Sequence, residues 1–169
     1  RRNGARPGDI VALVGDLGRS HAGYELWRNG IEQFDELRRR HLVPQPPYGQ
    51  GEVAARTGAT SMTDVSDGLL ADLGHVASAS EVSVDISLDL LAADLDAVAA
   101  AGAVIDADVR QWVLGGGEDH ALVATFPTDP PPGWRRIGRV RGHTGSQPRV
   151  TVDGVPWHGT AGWESFRVD

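Results

Sequence analysis

The alternation of hydrophobic and polar positions along the chain predicts a mixture of strands and helices. The run "DIVALVG" at 9–15 is apolar throughout, which predicts a strand that is buried on both faces. Other segments repeat apolar residues at the spacing of a helix or alternate them with a period of two. The pattern predicts further strands at 60–66, 82–87, 118–126 and 135–141, a hairpin at 148–157, and helices at 18–30, 31–41, 52–59, 67–79 and 88–104.

The order of these elements indicates the fold class. Strands and helices are mixed, and the last third of the chain is rich in strands, which favours an α+β fold over a strictly alternating parallel one. The segment "LVPQPPYGQG" at 42–51 is a loop that connects two helices, because helix-like sequence resumes directly after it. We therefore expect one domain over 1–169, with a mixed β-sheet layered with α-helices.

The net charge and the amino-acid composition argue against several classes of binding partner and site. The formal net charge is −7, which argues against a broad electrostatic surface for nucleic acid or for an anionic membrane. Cysteine is absent, so a disulfide framework and a thiolate nucleophile are excluded, and no apolar run is long enough for a membrane span. A cytoplasmic protein is the expectation, and the start "RRNGARPGDIVALVG", which lacks an initiator methionine, is typical of a chain cut from something longer.

The segment "TDVSDGLL" at 63–70 brings two acids and a hydroxyl to a predicted strand-to-helix turn. Ser66 or Asp67 could cap the helix that follows, since both types accept hydrogen bonds from the first amides of a helix. Capping does not explain Asp64, which precedes the turn. Two carboxylates with a hydroxyl also suit a hard cation that prefers oxygen ligands, such as magnesium carried in with phosphates. Both interpretations stay open at this point.

The segment "VLGGGEDHAL" at 113–122 places three glycines and two acids before a strand. Such glycines either form a tight turn or let the backbone approach a ligand closely. The segment is neither a P-loop nor a dinucleotide fingerprint, because no lysine with Ser/Thr follows and no helix begins there. Glu118 and Asp119 could bind an amine or a cation. His120, which enters a strand beside them, is more typical of a structural residue than of a catalyst.

Several segments, taken in order, resemble the C-terminal half of thiamine-monophosphate kinases in an actinobacterial-like form. They are "RRNGARPGD", "GDLGRSHAG", "HLVPQPPYGQG", "DVSDGLLADLGH", "LGGGEDHAL", "RRIGRV" and the terminal "GWESF". The resemblance covers nearly the whole chain, and it implies the fold of the C-terminal domain of AIR synthetase-like proteins. Members of this family transfer the γ-phosphoryl group of ATP to thiamine monophosphate, which gives thiamine diphosphate, and they use several magnesium ions.

The resemblance implies roles for individual residues. Asp64 and Asp67 match magnesium ligands, and Arg2 and Ser66 match positions that contact ATP. Glu118 and Trp163 match positions that bind the thiamine substrate. Clustered acids and glycines suit such a reaction, because phosphoryl transfer depends on positioning and on neutralising charge.

Departures from the family pattern leave some roles undecided. The family usually has Tyr and Glu where this chain has His120 and Ala121, and it carries an N-terminal ATP- and magnesium-binding domain that nothing here matches. We therefore expect this chain to be inactive alone, and the resemblance implies that its parent enzyme is a homodimer. Two alternatives are another ATP-dependent enzyme of the superfamily (AIR synthetase, selenophosphate synthetase or a hydrogenase-maturation protein) and a non-catalytic binding or assembly module.

Overall fold

A computed structural model describes residues 1–143 and 149–162, which form a sheet of seven strands with helices packed on it. The strands are β1 (Ile10–Val14), β2 (Ser61–Val65), β3 (Ser83–Ile86), β4 (Ala121–Phe126), β5 (Arg135–Arg141), β6 (Val150–Val152) and β7 (Val155–Pro156). The helices are α1 (Arg19–Arg28), α2 (Asp35–Leu42), α3 (Gln50–Arg56), α4 (Leu69–Ser80), α5 (Ala92–Ile105) and α6 (Val109–Gly115), with a 3₁₀ turn at Asp89–Leu91.

The strand order confirms the predicted fold class. The sheet runs β2-β4-β1-β5-β3-β6-β7, and its neighbouring strands are antiparallel except for the parallel pair β3 and β6. A mixed sheet with helices between its strands is an α+β arrangement and not a doubly wound parallel one. Strands β2 and β4 lie side by side at one edge, although 55 positions separate Val65 from His120.

Strand β1 is buried on both faces, as its apolar sequence predicts. Val11 and Leu13 belong to the larger hydrophobic cluster, which includes residues of α1, α4, α5 and α6. Ala12 and Val14, the alternate residues of the same strand, belong to a smaller cluster that also contains Trp134. Because successive strand residues point to opposite faces, the two clusters lie on opposite sides of the sheet.

The main differences between the predicted and the observed elements concern helices. Helix α2 begins at Asp35 and not at 31, since Phe34 has φ of 64°, which no helical residue adopts. The predicted helix at 88–104 is divided into the 3₁₀ turn and α5. Helix α6 was not predicted at all. Its seven residues are fewer than two turns of well-defined periodicity, and its last residue is the first glycine of the "GGG" run.

The hairpin predicted around "DG" is confirmed by the register of β6 and β7. Val152 pairs with Val155, and the two turn residues, Asp153 and Gly154, have φ of 50° and 78°. Positive φ at both central residues is the geometry that Asp-Gly favours in a two-residue turn. Within the described residues, no helix combines the length and apolar character that crossing a membrane requires.

Candidate functional site

The fold joins the two acidic motifs of the sequence at the sheet edge formed by β2 and β4. The backbone N–H of Glu118 donates to the carbonyl of Ser66 at 2.8 Å, and the N–H of His120 donates to the carbonyl of Val65 at 3.0 Å. The ladder between β2 and β4 thus continues past the end of both strands. The residues predicted to bind phosphate and metal, Ser66 among them, therefore lie beside the residue predicted to bind substrate, Glu118.

Asp64 is an exposed residue of β2, and it borders a cavity. It follows Met62 by two positions and pairs with Leu122 of β4, so its side chain lies on the sheet face of the smaller hydrophobic cluster. The cavity has a volume of about 330 Å³. Its walls are formed by the connector between α2 and α3 and by the ends of β2 and β4: Pro46, Pro47, Tyr48, Gly49, Gly51, Asp64, His120 and Leu122. The Asp64 carboxylate is thus open to a ligand from this side.

Arg2 lies beside β2, where its side chain contacts Thr63, the neighbour of Asp64 in sequence. The N-terminal segment follows β2, where the carbonyl of Arg1 accepts a hydrogen bond from the N–H of Met62 at 2.9 Å. The Arg2 Nε donates to Thr63 Oγ1 at 3.2 Å, and Thr63 Oγ1 lies 3.4 Å from Asp64 Oδ1. A buried hydroxyl therefore links the predicted ATP ligand to the predicted metal ligand. Sequence reasoning gave Thr63 no role.

The turn after β2 is held by an acid that sequence reasoning missed. Asp72 Oδ2 accepts hydrogen bonds from the backbone N–H groups of Ser66, Asp67 and Gly68 at 3.0, 3.0 and 3.3 Å. Neither Ser66 nor Asp67 caps α4, whose N-cap is Gly68 without a side-chain hydrogen bond. The capping interpretation is therefore wrong, and the carboxylate of Asp67 is exposed.

Asp72 is 1% exposed, and burial raises its pKa. The three amide hydrogen bonds oppose this rise in pKa, whereas repulsion from Asp67 adds to it. A signal for this residue exists in the sequence: position 72 falls within the apolar stripe of α4, three residues after Leu69 and four before Val76. An acid on the buried stripe of a helix needs hydrogen-bond donors, and the preceding turn supplies them.

Gly68 connects the turn to the glycine segment. Its φ of 128° is a conformation that side chains rarely adopt, and a Cβ atom there would lie 2.8 Å from the carbonyl oxygen of Gly115. Both the conformation and the contact require glycine. The same contact fixes the start of α4 against the end of α6.

In the segment "GGGED" at 115–119, the three glycines do not adopt the left-handed conformation; nearby residues without this freedom do. Gly115, Gly116 and Gly117 are buried, and a Cβ at Gly116 would collide with the carbonyl of Trp112 and the side chain of His21. Positive φ occurs instead at Glu118 (66°) and His120 (54°). The glycines thus allow close packing. The left-handed backbone is strained at Glu118 and His120, at a cost of the order of 1 kcal/mol or more per residue.

Asp119 is a structural residue. It is 8% exposed, its Oδ2 accepts from the N–H of Gly18 at 2.6 Å, and its Oδ1 accepts from the N–H of Ser20 at 2.9 Å. These are amides at the start of α1, so Asp119 ties the glycine segment to that helix. Burial raises the pKa of Asp119 to about 7, and repulsion from Asp16 and Asp94 adds to the rise, whereas the two amide hydrogen bonds oppose it.

Glu118 and His120 face outward on either side of this buried acid. The His120 Nε2 lies 3.2 Å from the Glu118 Oε2, and the two side chains are 35% and 52% exposed respectively. The imidazole therefore orients the carboxylate of Glu118 and leaves part of it open to a ligand. Trp163, the other residue predicted to bind substrate, lies outside the described residues.

The family model and the most similar relatives found by comparison with known proteins agree with each other. Residues 6–122 match the family described as AIR synthase related protein, C-terminal domain. The thiamine-monophosphate kinase of Mycobacterium tuberculosis is 61% identical over 165 residues, which are 98% of this chain and 49% of that protein. The corresponding enzyme of Corynebacterium glutamicum is 38% identical over 167 residues, which are 96% of this chain and 50% of that protein.

A solved structure, that of AaThiL complexed with AMPPCP and TMP, has the same fold. It superposes with a TM-score of 0.81 at 32% sequence identity, and the match covers 98% of this chain and 53% of that one. The chain thus spans about half the length of the relatives that it matches. On the match over residues 6–122, the chain belongs to the family of AIR synthase related proteins and carries its C-terminal domain.

Proposed function

We propose that this chain is the C-terminal half of a thiamine-monophosphate kinase, which transfers the γ-phosphoryl group of ATP to thiamine monophosphate. The observation that carries the proposal is the hydrogen bond from the Glu118 N–H to the Ser66 carbonyl. This hydrogen bond joins Ser66, which matches an ATP contact, to Glu118, which matches a substrate contact, and so supports one site for both substrates. The names of the relatives, and the AMPPCP and TMP bound in AaThiL, support the same reaction.

Asp64 and Asp67 are suited to bind Mg²⁺. Both carboxylates are exposed, and no arginine of the described segments lies within ion-pair distance of either one. An all-oxygen set of this kind fits the ligand preference of Mg²⁺. Bound Mg²⁺ would neutralise charge on the phosphates that react. In this chain, the carboxylates of Asp64 and Asp67, at the end of β2, would bind the ions.

The other matched residues would bind the two substrates. Arg2, which Thr63 holds beside Asp64, contacts the ATP phosphates, and Ser66 contacts ATP from the turn. Glu118 receives the thiamine substrate, with its carboxylate oriented by His120. Trp163 supplies an aromatic ring to the same substrate. A homodimeric parent enzyme, a cytoplasmic location and the lack of nucleic-acid or membrane partners stay predictions from resemblance and composition.

The test is an assay for thiamine diphosphate with ATP and Mg²⁺, on a full-length protein in which this chain is joined to the half that its relatives have in addition. Asp64→Asn keeps the shape of the side chain but removes its charge. We expect turnover to fall at least about 100-fold, as the loss of a key electrostatic contact does, with little change in Tm. The chain alone is expected to form no appreciable product.

Asp96→Asn is the matched control, because Asp96 is an exposed acid of α5. This variant should keep full activity. A full-length protein that forms no thiamine diphosphate would refute the proposed reaction. Equal activity of the Asp64 and Asp96 variants would refute the metal-binding role of Asp64.

A further inference from the structure

A second group of ligand atoms lies at the start of α4, on Asp67, Asp72 and His75. One oxygen of each carboxylate and one ring nitrogen of the histidine lie within 4.8 Å of one another. Asp67 and His75 are exposed and Asp72 is buried beneath them. Asp72 and His75 are three residues apart on one helix, which places both side chains on the same face.

The hydrogen bonds of Asp72 point independently to a missing ligand. Its Oδ2 accepts the three amides of the turn, but its Oδ1 is buried and has no hydrogen-bond partner within the described part of the chain. A buried carboxylate oxygen without a donor is costly, so a native structure normally supplies one or binds an ion there. Because the three amides fill Oδ2, Oδ1 is the oxygen of Asp72 that still has lone pairs for a ligand shared with Asp67 and His75.

We propose that Asp67, Asp72 and His75 form a binding site for a divalent first-row transition-metal ion such as Mn²⁺. Two carboxylate oxygens with one imidazole nitrogen suit such an ion, whereas Mg²⁺ prefers oxygen ligands throughout. Metal–ligand bonds of about 2.0–2.2 Å hold opposite ligand atoms about 4 Å apart, so small rotations of the exposed Asp67 and His75 close the site. Waters or a phosphate oxygen complete the coordination.

A bound ion would also explain why Asp72 Oδ1 has no hydrogen-bond partner among the described residues. An ion on Asp72 Oδ1 is linked through the same carboxylate to the amides of Ser66, Asp67 and Gly68. Metal binding would thus stiffen the turn that presents Asp64 and Ser66. The inference shares Asp67 with the proposed function, but it depends on Asp72 and His75, which the proposed function does not use.

The experiment is a titration of the metal-free 169-residue chain with Mn²⁺ and, separately, with Mg²⁺, followed by calorimetry and by NMR of the histidine rings. Mn²⁺ is paramagnetic and broadens the signals of the ring that binds it. His75→Gln removes the nitrogen ligand at an exposed position. Asp72→Asn keeps one oxygen for the amides of the turn and replaces Oδ1 with a donor. His158→Gln is the control, because His158 is another exposed histidine, distant in sequence from α4.

We expect Mn²⁺ to broaden the His75 ring first, and both His75→Gln and Asp72→Asn to weaken Mn²⁺ binding about 10-fold or more. His158→Gln should leave the affinity unchanged, and His75→Gln should change Mg²⁺ binding less than Mn²⁺ binding. His75→Gln changes an exposed side chain, so its Mn²⁺ affinity keeps the test decisive even if the buried Asp72→Asn variant fails to fold. Equal Mn²⁺ affinity of the His75 and His158 variants, or no binding of Mn²⁺ at millimolar concentration, would overturn the site. Neither result bears on thiamine diphosphate formation, which tests the proposed function separately.

Discussion

The turn "DVSDG" and the segment "GGGED" solve the same problem with different buried acids. Each carries exposed carboxylates beside a buried one, and each must hold an irregular backbone in one conformation. In the turn, buried Asp72 accepts three amides while Asp64 and Asp67 stay exposed. In the segment, buried Asp119 accepts two amides while Glu118 stays exposed. In both places the buried acid orders the backbone, and the exposed acids remain accessible to solvent.

The two buried acids differ in how many of their oxygens are used. Each oxygen of Asp119 accepts one hydrogen bond from an amide at the start of α1, and the residue is 8% exposed, so little of this carboxylate is open to another ligand. Asp72 uses one oxygen, and the other has no hydrogen-bond partner among the described residues. The role of a carboxylate in an acidic motif is therefore decided by its hydrogen-bond partners and not by its position in the motif.

The largest expected effect concerns Asp119 and pH. Its pKa of about 7 in the folded chain lies above its value of about 3.9 in an unfolded chain. The folded state therefore keeps a proton that the unfolded state releases, and the free energy of unfolding falls as the pH rises from about 4 to about 7. The full shift corresponds to about 4 kcal/mol. Urea unfolding between pH 4.5 and pH 8 measures most of it, about 3 kcal/mol.

Asp119→Asn removes this titration, whatever its effect on stability at a single pH. The variant should lose most of the decrease in unfolding free energy between pH 4.5 and pH 8, whereas Asp96→Asn should retain it. Other shifted groups, such as His21, whose pKa burial lowers, are common to all three proteins and cancel in the comparison. The same pH dependence in the Asp119 variant and the unmodified chain would contradict the assignment.

A smaller effect is expected for Asp72→Ala. The substitution leaves the amides of Ser66, Asp67 and Gly68 without their acceptor. Unsatisfied buried donors cost about 1–3 kcal/mol each, and water can reach part of this turn, so we expect a loss of about 3 kcal/mol in the free energy of unfolding. Asp72→Asn, which keeps one acceptor oxygen, should lose clearly less. If the two variants are equally stable, the amide hydrogen bonds do not hold the turn.

The smallest effect is expected for the exposed acids. Asp67→Asn and Glu118→Gln should each change the free energy of unfolding by less than about 0.5 kcal/mol, because neither carboxylate accepts a backbone amide in the described chain. Thermal and urea unfolding of both variants beside Asp72→Ala measures the contrast. If either variant loses as much unfolding free energy as Asp72→Ala, the distinction between buried structural acids and exposed acids is wrong.

The sequence predicted the elements better than it predicted the partners of individual side chains. The burial of β1 and the Asp-Gly turn between β6 and β7 follow from local patterns, and the structure confirms both. The roles of Asp72 and Asp119 depend on amides that the fold brings to them, and the amides at Asp119 come from about 100 positions away. Spacing carries no information about such partners.

Helix α6 and the glycine segment show a second limit. Seven residues with apolar Trp112, Val113 and Leu114 in a row give no helical period, so the helix could not be read from the pattern. The three consecutive glycines predicted a tight turn or a close approach of the backbone to a ligand, whereas positive φ occurs at Glu118 and His120. Close packing against Trp112 explains the glycine at 116, and only the folded structure reveals that contact.

The most direct test of the account is a crystal structure of the full-length protein with Mg²⁺ and a non-hydrolysable ATP analogue such as AMPPCP. The account predicts carboxylate oxygens of Asp64 and Asp67 about 2.0–2.1 Å from Mg²⁺, with Ser66 and Arg2 in contact with the phosphates. It also predicts that Asp72 Oδ2 and both oxygens of Asp119 keep their amide partners. Mg²⁺ and phosphates bound away from Asp64 and Asp67, or Asp119 turned toward the ligand, would contradict the account.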